Sequence, residues 1–172
     1  MFTFPNKVIA ISQRHICPRP LEEQVYRIAE NGISRLILRE KDLAEEEYLQ
    51  LAERVLSSCE RCGVELTIHN FPNAARELGI DRLHMPLPML TAKLCAEFET
   101  VGSSVHSAEQ LEQAERLGAK YVTAGHIYKL QKGAATARAG FSARYVRKGE
   151  RARLRHRRDK RGQRRNGAKC RR

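Results

Sequence analysis

The residues of this chain that could do chemistry sit in short polar clusters, each closing an apolar run. Arg14 and His15 follow "KVIAIS". Arg39 and Lys41 flank Glu40 after "SRLIL". His69 and Asn70 end "VELTIHN", and His84 lies in "RLHMP". Ser104 and His106 belong to "TVGSSVHS", and His126 to "KYVTAGHIY". An imidazole titrates near neutrality and can both remove and return a proton on a substrate carbon. Arg39 and Lys41 are suited to an anion, with a surface ion pair to Glu40 or Asp42 as the plain alternative. Asn70 either hydrogen-bonds a ligand or caps the helix that follows. His84 reads as a structural strand-end histidine. Ser104 either faces a ligand or satisfies local backbone. "CERC" (59–62) has the C-x-x-C spacing of a zinc or redox pair. No second ligand pair follows it, and it sits at a helix end beside Gly63, so it reads as structural.

Six strand-like runs must carry these clusters: 7–12, 34–40, 64–70, 82–86, 100–107 and 120–128. Helix-period segments separate them: "PLEEQVYRIAENG", "LAEEEYLQLAERVLSSCERCG", "NAARELG", "PMLTAKLCAEFE" and "SAEQLEQAERLGA". Leu21, Val25 and Ile28 share one helical face, as do Tyr48, Leu51, Val55 and Leu56. Gly32, Gly63, Gly79 and Gly118 stand where helices should stop. Ser107 is placed to cap the last helix. Strict alternation of strand and helix predicts βαβ units and a parallel sheet. The architecture is either an open doubly wound sheet or a closed (β/α)8 barrel. No glycine-rich fingerprint follows the first strand, which argues against a dinucleotide site. Polar residues at the C-terminal ends of many strands favour a barrel, whose active site is built from several strand ends together.

Charge divides the 172 residues in two. Residues 1–128 hold 14 Lys+Arg against 18 Asp+Glu, a net −4. Residues 129–172 hold 18 Lys+Arg against Glu150 and Asp159 alone, a net +16. Five cysteines at irregular spacings are not a secreted disulfide framework. No signal-peptide run and no stretch of about 18 apolar residues is present. These features predict a reduced, cytoplasmic protein with no membrane partner. A homo-oligomer is compatible with the sequence.

"LILREKDL", "GSSVHSAEQLEQAERLGAKYV" and "AGHIY", in that order and spacing, resemble the thiamine phosphate synthase/TenI family. The resemblance covers residues 7–128. It implies a TIM (β/α)8 barrel of thiamine biosynthesis and one of two activities. One is a synthase, a transferase that joins a pyrimidine pyrophosphate to a thiazole phosphate with Mg²⁺. The other is a TenI-like thiazole tautomerase, an isomerase that shifts a proton to make the thiazole phosphate aromatic without a metal or other cofactor. Synthases of the family carry Asn-Asp after the third strand, where this chain has Asn70–Phe71. They carry another Asp after the fourth, where Arg82 to Ala96 holds no acid. They carry a strand-two Gln, where this chain has Ile37. Mg²⁺ prefers hard carboxylate oxygens, so the resemblance expects no metal ligand here. At the sixth strand, synthases read Gly-Pro and TenI-type members Gly-His; this chain reads Gly125–His126. The resemblance thus implies His126 as the catalytic acid/base. It also implies Arg39, Lys41, Asn70, Ser104 and His106 as binders of a thiazole phosphate.

A complete barrel takes about 200 residues or more, and six strands are spent by Tyr128. Residues 129–172 show no apolar period of 2 or 3.6 and read as a basic, disordered tail. The domain reading is therefore a partial barrel over 1–128 joined to that tail. One alternative makes the tail a nucleic-acid-binding arm; aromatic residues for base stacking are scarce there, with only Phe141 and Tyr145. The other is a reading-frame change near codons 128–130. Permitted codons for "KLQKGAATARA", read one base later, spell Asn-Cys-Lys-Lys-Gly-Leu-Pro-Pro-Arg-Gly, which resembles the family's continuation. The family holds its phosphate on loops after strands seven and eight, so activity of this 172-residue product is expected to be impaired.

Overall fold

The computed structural model describes residues 8–125 and the backbone of 144–147. In chain order the elements are β1 (Ala10–Ile11), α1 (Leu21–Glu30), β2 (Arg35–Leu38), α2 (Glu45–Cys62) and β3 (Glu65–His69). They continue with α3 (Pro72–Glu77), β4 (Arg82–Pro86), α4 (Ala92–Glu97), β5 (Thr100–Val105), α5 (Ala108–Leu117), β6 (Tyr121–Ala124) and β7 (Arg144–Arg147). Single 3₁₀ turns lie at Arg14–Ile16 and Leu87–Met89. Helix punctuation follows the sequence expectation. α2 opens on three glutamates at the positive end of its dipole and stops at Gly63, whose φ of 67° is left-handed. The Ser107 hydroxyl accepts from the Gln110 backbone N–H at 3.3 Å and starts α5.

The strands lie side by side in sequence order, β1 through β7, and β1 to β6 are all parallel. A doubly wound sheet reverses its order at a switch point; this one never does. Its helices bury one parity of strand residues. Leu36, Leu38, Leu66, Ile68, Leu83, Met85, Val101, Val105 and Val122 join Leu21, Val25, Tyr48, Leu51, Val55 and Ala114 in one core. The other parity, Ile37, Thr67, His69, His84, Gly102, Ser104, Tyr121 and Thr123, faces away from that core. One face covered by helices and one left for the interior is the winding of an α/β barrel. Six parallel strands of it are present, so the fold is a partial barrel. Tyr48 ties this winding together: its hydroxyl donates to the Leu38 carbonyl at 2.6 Å and accepts from the His69 N–H at 3.1 Å.

The tail expectation meets one difference. Arg144–Arg147 pairs antiparallel with β6, Val146 opposite Val122. Backbone pairing of this kind satisfies N–H and C=O groups that an edge strand otherwise leaves open, and it needs no apolar alternation to announce it. The join at residues 128–129 and the rest of the basic segment lie outside the described residues. Among the described residues no helix is long and apolar enough to cross a membrane.

Candidate active site

Parallel register stacks the interior side chains into a row. His69 lies beside His84, His84 beside Gly102, and Gly102 beside Tyr121. The Tyr121 ring fills the space over Gly102 so closely that a Cβ there would sit 2.0 Å from its Cζ. Gly102 therefore lets the phenol reach across β5 to β4. The His69 and His84 rings stack at 5.7 Å, and the Tyr121 ring tilts against His84 at 5.5 Å.

That row is continued by hydrogen bonds. His84 Nδ1 lies 3.0 Å from the Tyr121 hydroxyl and its Nε2 lies 2.9 Å from Ser104 Oγ. Ser104 Oγ is in turn 3.1 Å from Thr123 Oγ1. Burial pushes the His84 pKa down to about 3, with His69 and Arg39 adding repulsion. Burial likewise lowers His69 to about 4, reinforced by Arg39 and then Lys41. Both imidazoles are neutral at pH 7, and His84 spends both ring nitrogens on neighbours.

The β1–β2 end is built from charge instead. The buried Glu40 carboxylate accepts from Ser12 Oγ at 2.6 Å, from the Arg14 N–H at 3.0 Å and from Arg14 Nη1 at 3.1 Å. Ser12 Oγ also accepts from the Arg39 N–H at 2.8 Å, which stitches the two strand ends together. Asp42 accepts from Arg14 through both guanidinium nitrogens and meets His15 Nε2 at 3.0 Å. The Arg14 and then the His15 hydrogen bond hold the Asp42 carboxyl well below the usual range. Arg14 and His15 thus occupy the carboxylates that the plain reading offered to Arg39 and Lys41. Among the described residues neither Arg39 nor Lys41 has an ion-pair partner.

Asn70 adopts φ +70°, which asparagine tolerates. Its N–H donates to the His84 carbonyl at 3.1 Å, and its Oδ1 is buried with no hydrogen-bond partner among the described residues. The capping alternative is not used: α3 begins after Phe71 with no side-chain cap. Phe71 packs on Tyr48 with ring centroids 4.3 Å apart, and Leu87 and Leu90 after β4 are buried. Among the described residues no group of three or more His, Cys, Asp or Glu could hold a metal ion. Cys59 is buried in the core with its thiol pushed up to about 12, and Cys62 is free beside it, which supports the structural reading of C-x-x-C.

His106 is exposed, and its ring lies against Gly125, where an added Cβ would be 3.1 Å from its Cε1. His126 is the next residue and lies outside the described residues. The fold therefore gathers Arg39, Lys41, Asn70 and Ser104 at the strand ends and leaves His106 on the rim beside Gly125. Sequence reading missed Tyr121 and Thr123. The alternation in "KYVTAG" sets them on one face of β6 and was the signal available.

A family model described as thiamine monophosphate synthase (TMP-TENI) matches residues 8–143. The thiamine-phosphate synthase of Syntrophomonas wolfei is 29% identical over 115 residues, covering 64% of this chain and 54% of its own length. The same-named protein of Thermus thermophilus is 31% identical over 122 residues, covering 66% of this chain and 59% of its own. The chain thus spans little more than half the length of these relatives. In fold it is similar to a thiamine phosphate pyrophosphorylase from Pyrococcus furiosus, with a TM-score of 0.63 and 20% identity over 72% of this chain and 61% of that one. Family match and partial-barrel winding agree, and this chain belongs to the thiamine monophosphate synthase (TMP-TENI) family.

Proposed function

We propose that the chain handles a thiazole phosphate in thiamine biosynthesis, as a TenI-type tautomerase. One observation carries this reading: the division of charge at the strand ends. Arg39 and Lys41 have no carboxylate partner among the described residues, while Glu40 and Asp42 are occupied by Arg14 and His15. Free cations favour a phosphate, and occupied carboxylates do not offer Mg²⁺ its preferred oxygens. In this reading Arg39 and Lys41 attract the substrate anion, Ser104 and Asn70 orient the ring, and His126 carries the proton. His69 and His84 are held neutral and suit hydrogen bonding rather than proton transfer at neutral pH. The shift itself takes a proton from one ring position and returns it at another, with no net loss.

A second reading is favoured by the names of the two relatives above, both thiamine-phosphate synthases. It makes the chain a transferase that releases pyrophosphate with Mg²⁺. Two assays on the full chain separate the readings. Metal-independent aromatisation of the thiazole phosphate tautomer, lost in His126→Ala, supports the first. Mg²⁺-dependent pyrophosphate release supports the second. The reading-frame change near codons 128–130 belongs to the same proposal. An extra or missing base on resequencing codons 120–140 supports it, and an intact frame overturns it.

A further inference from the structure

We infer that His69 is a third anion-binding residue: an anion held by Arg39 and Lys41 draws a proton from solvent onto its imidazole, which then adds a positive charge to the site. The inference rests on the anion-binding part of the proposed function and adds a residue that reading leaves out. Register carries it. Leu38 pairs with Ile68, and His69 pairs with His84. Arg39, just past the end of β2, therefore stands beside His69, the last residue of β3, on strands about 4.8 Å apart. Both continue the parity of Ile37 and Thr67, which faces away from the helix-covered core. Arg39 thus extends the row of His69 and His84 by one strand. Lys41 follows two residues later and is exposed.

Among the described residues only its own backbone favours a charge on the His69 ring. From the β2 side, Arg39 and Lys41 repel one. From β4 comes the His84 ring, stacked at 5.7 Å. From α2 the Tyr48 hydroxyl bonds the His69 backbone N–H. On α3, Arg76 is paired with Glu97 and Glu77 is exposed. Glu40, between the two cations in sequence, is engaged by Ser12 and Arg14. Burial first, and the two cations after it, lower the His69 pKa to about 4. An anion cancels the second cause and leaves the first. One charge acting across two strand spacings moves a titration midpoint by about one pH unit at the effective dielectric of a protein. The coupling is reciprocal, so the anion binds more tightly as pH falls and His69 becomes charged. His84 does not share the proton. Its ring nitrogens are engaged by Tyr121 and Ser104, only Arg39 of the two cations acts on it, and a charged His69 repels a charge on it.

Sulfate is the probe, because its charge stays constant from pH 7 downward, where a phosphate group gains a proton. The His69 and His84 ring signals of the unmodified full chain are followed by NMR from pH 7 to the lowest pH at which the amide spectrum stays folded. The titration is run in sulfate and in sodium chloride of equal ionic strength. Sulfate should move the His69 titration up by about one pH unit relative to chloride, and that of His84 by about half as much or less. No difference between the two salts, or a larger shift at His84, overturns the proposal. Calorimetric titration with sulfate then reads the linkage. Affinity should rise about twofold between pH 7 and pH 5. At pH 5, His69→Gln should take up about 0.4 fewer protons on binding than the unmodified chain. His84→Gln should keep the uptake. Equal uptake in His69→Gln overturns the proposal. Sulfate binding that leaves His69 unmoved overturns this inference alone, and a chain that binds no sulfate at any pH overturns the anion-binding reading with it.

Discussion

The two ends of this partial barrel solve the problem of interior polarity in opposite ways. At β1–β2 the polar groups are ions, and each buried one is matched: Glu40 takes Ser12 and Arg14. Across β3–β6 the polar groups are neutral, and burial keeps them so: His69 and His84 lie far below their ordinary pKa. The difference follows from depth. Arg14 reaches solvent and can bring a charge to Glu40 from the rim. Among the described residues no carboxylate bonds to His84, whose neighbours include a phenol, a hydroxyl and another imidazole. An ion left unmatched there would bear a large desolvation cost. Arg39 and Lys41 stand apart at this end, with no ion-pair partner among the described residues.

The largest expected effect separates the two ends by acid. A histidine whose folded pKa is depressed gives no penalty above its unfolded value near 6.5, and costs stability as pH falls from there toward its folded value. For His69 and His84 that window runs from about 6.5 down to about 4 and about 3. Each imidazole that stays neutral lowers stability by up to about 1.4 kcal/mol per pH unit. Asp42 loses its contribution only lower, in the carboxylate range, because its pKa is held down. Urea midpoints should therefore fall steadily between pH 7 and pH 5, and less so in His84→Gln. A flat profile over that interval would mean that the β3–β6 wall is not neutral by burial.

Next comes Gly102→Ala, which attacks the neutral wall by shape alone. The new Cβ would lie 2.0 Å from Tyr121 Cζ and 2.3 Å from its Cε1, so the ring must leave its place on His84. Overpacking of this kind costs about 3 kcal/mol. Equilibrium denaturation measures it, and a loss below about 0.5 kcal/mol would refute the close approach of Tyr121. Glu40→Gln probes the charged end. It keeps the shape and the Ser12 contact but leaves Arg14 with Asp42 alone. Arg14 is partly exposed, so the loss is smaller than for a fully buried pair and smaller than that of Gly102→Ala. Addition of salt should shrink the Glu40 effect and leave the Gly102 effect unchanged.

Local pattern made the helix-facing half of this architecture readable. Leu36 and Leu38, Leu66 and Ile68, and Leu83 and Met85 alternate in the sequence and share one core. Gly63 and Gly118 end their helices with left-handed φ, and Ser107 caps α5. The six parallel strands and their barrel winding follow from that alternation; β2, β3 and β5 are shorter than their sequence runs, while β4 matches its run. The site was readable only as a set of strand-end residues. Its bonds were not, because they depend on register between distant segments. Tyr121 meets His84 across 37 positions, and Arg14 takes Glu40 across 26. No local period encodes either. The alternative pairing of Arg39 and Lys41 with Glu40 or Asp42 rested on sequence adjacency alone, and side chains that alternate along an extended chain do not face one another.

The smallest expected effect on stability is the one that joins the two ends. Arg39→Ala and Lys41→Ala remove cations that have no ion-pair partner among the described residues. Their stability at pH 7 should stay within about 0.5 kcal/mol of the wild type, as for surface substitutions that break nothing. Their pH profile should still move. Arg39 adds to the depression of both His69 and His84, and Lys41 to that of His69 alone. Removing Arg39 lets both imidazoles take up protons at higher pH, closer to their unfolded value, so the acid loss becomes shallower. Lys41→Ala should change it less, since only one imidazole responds. Histidine titrations followed by NMR, alongside the urea midpoints, give the answer. A wild-type acid slope in Arg39→Ala would mean that the charged end and the neutral wall are electrically independent. A shallower slope at unchanged pH 7 stability would mean that the cation proposed to receive an anion also keeps the wall behind it uncharged.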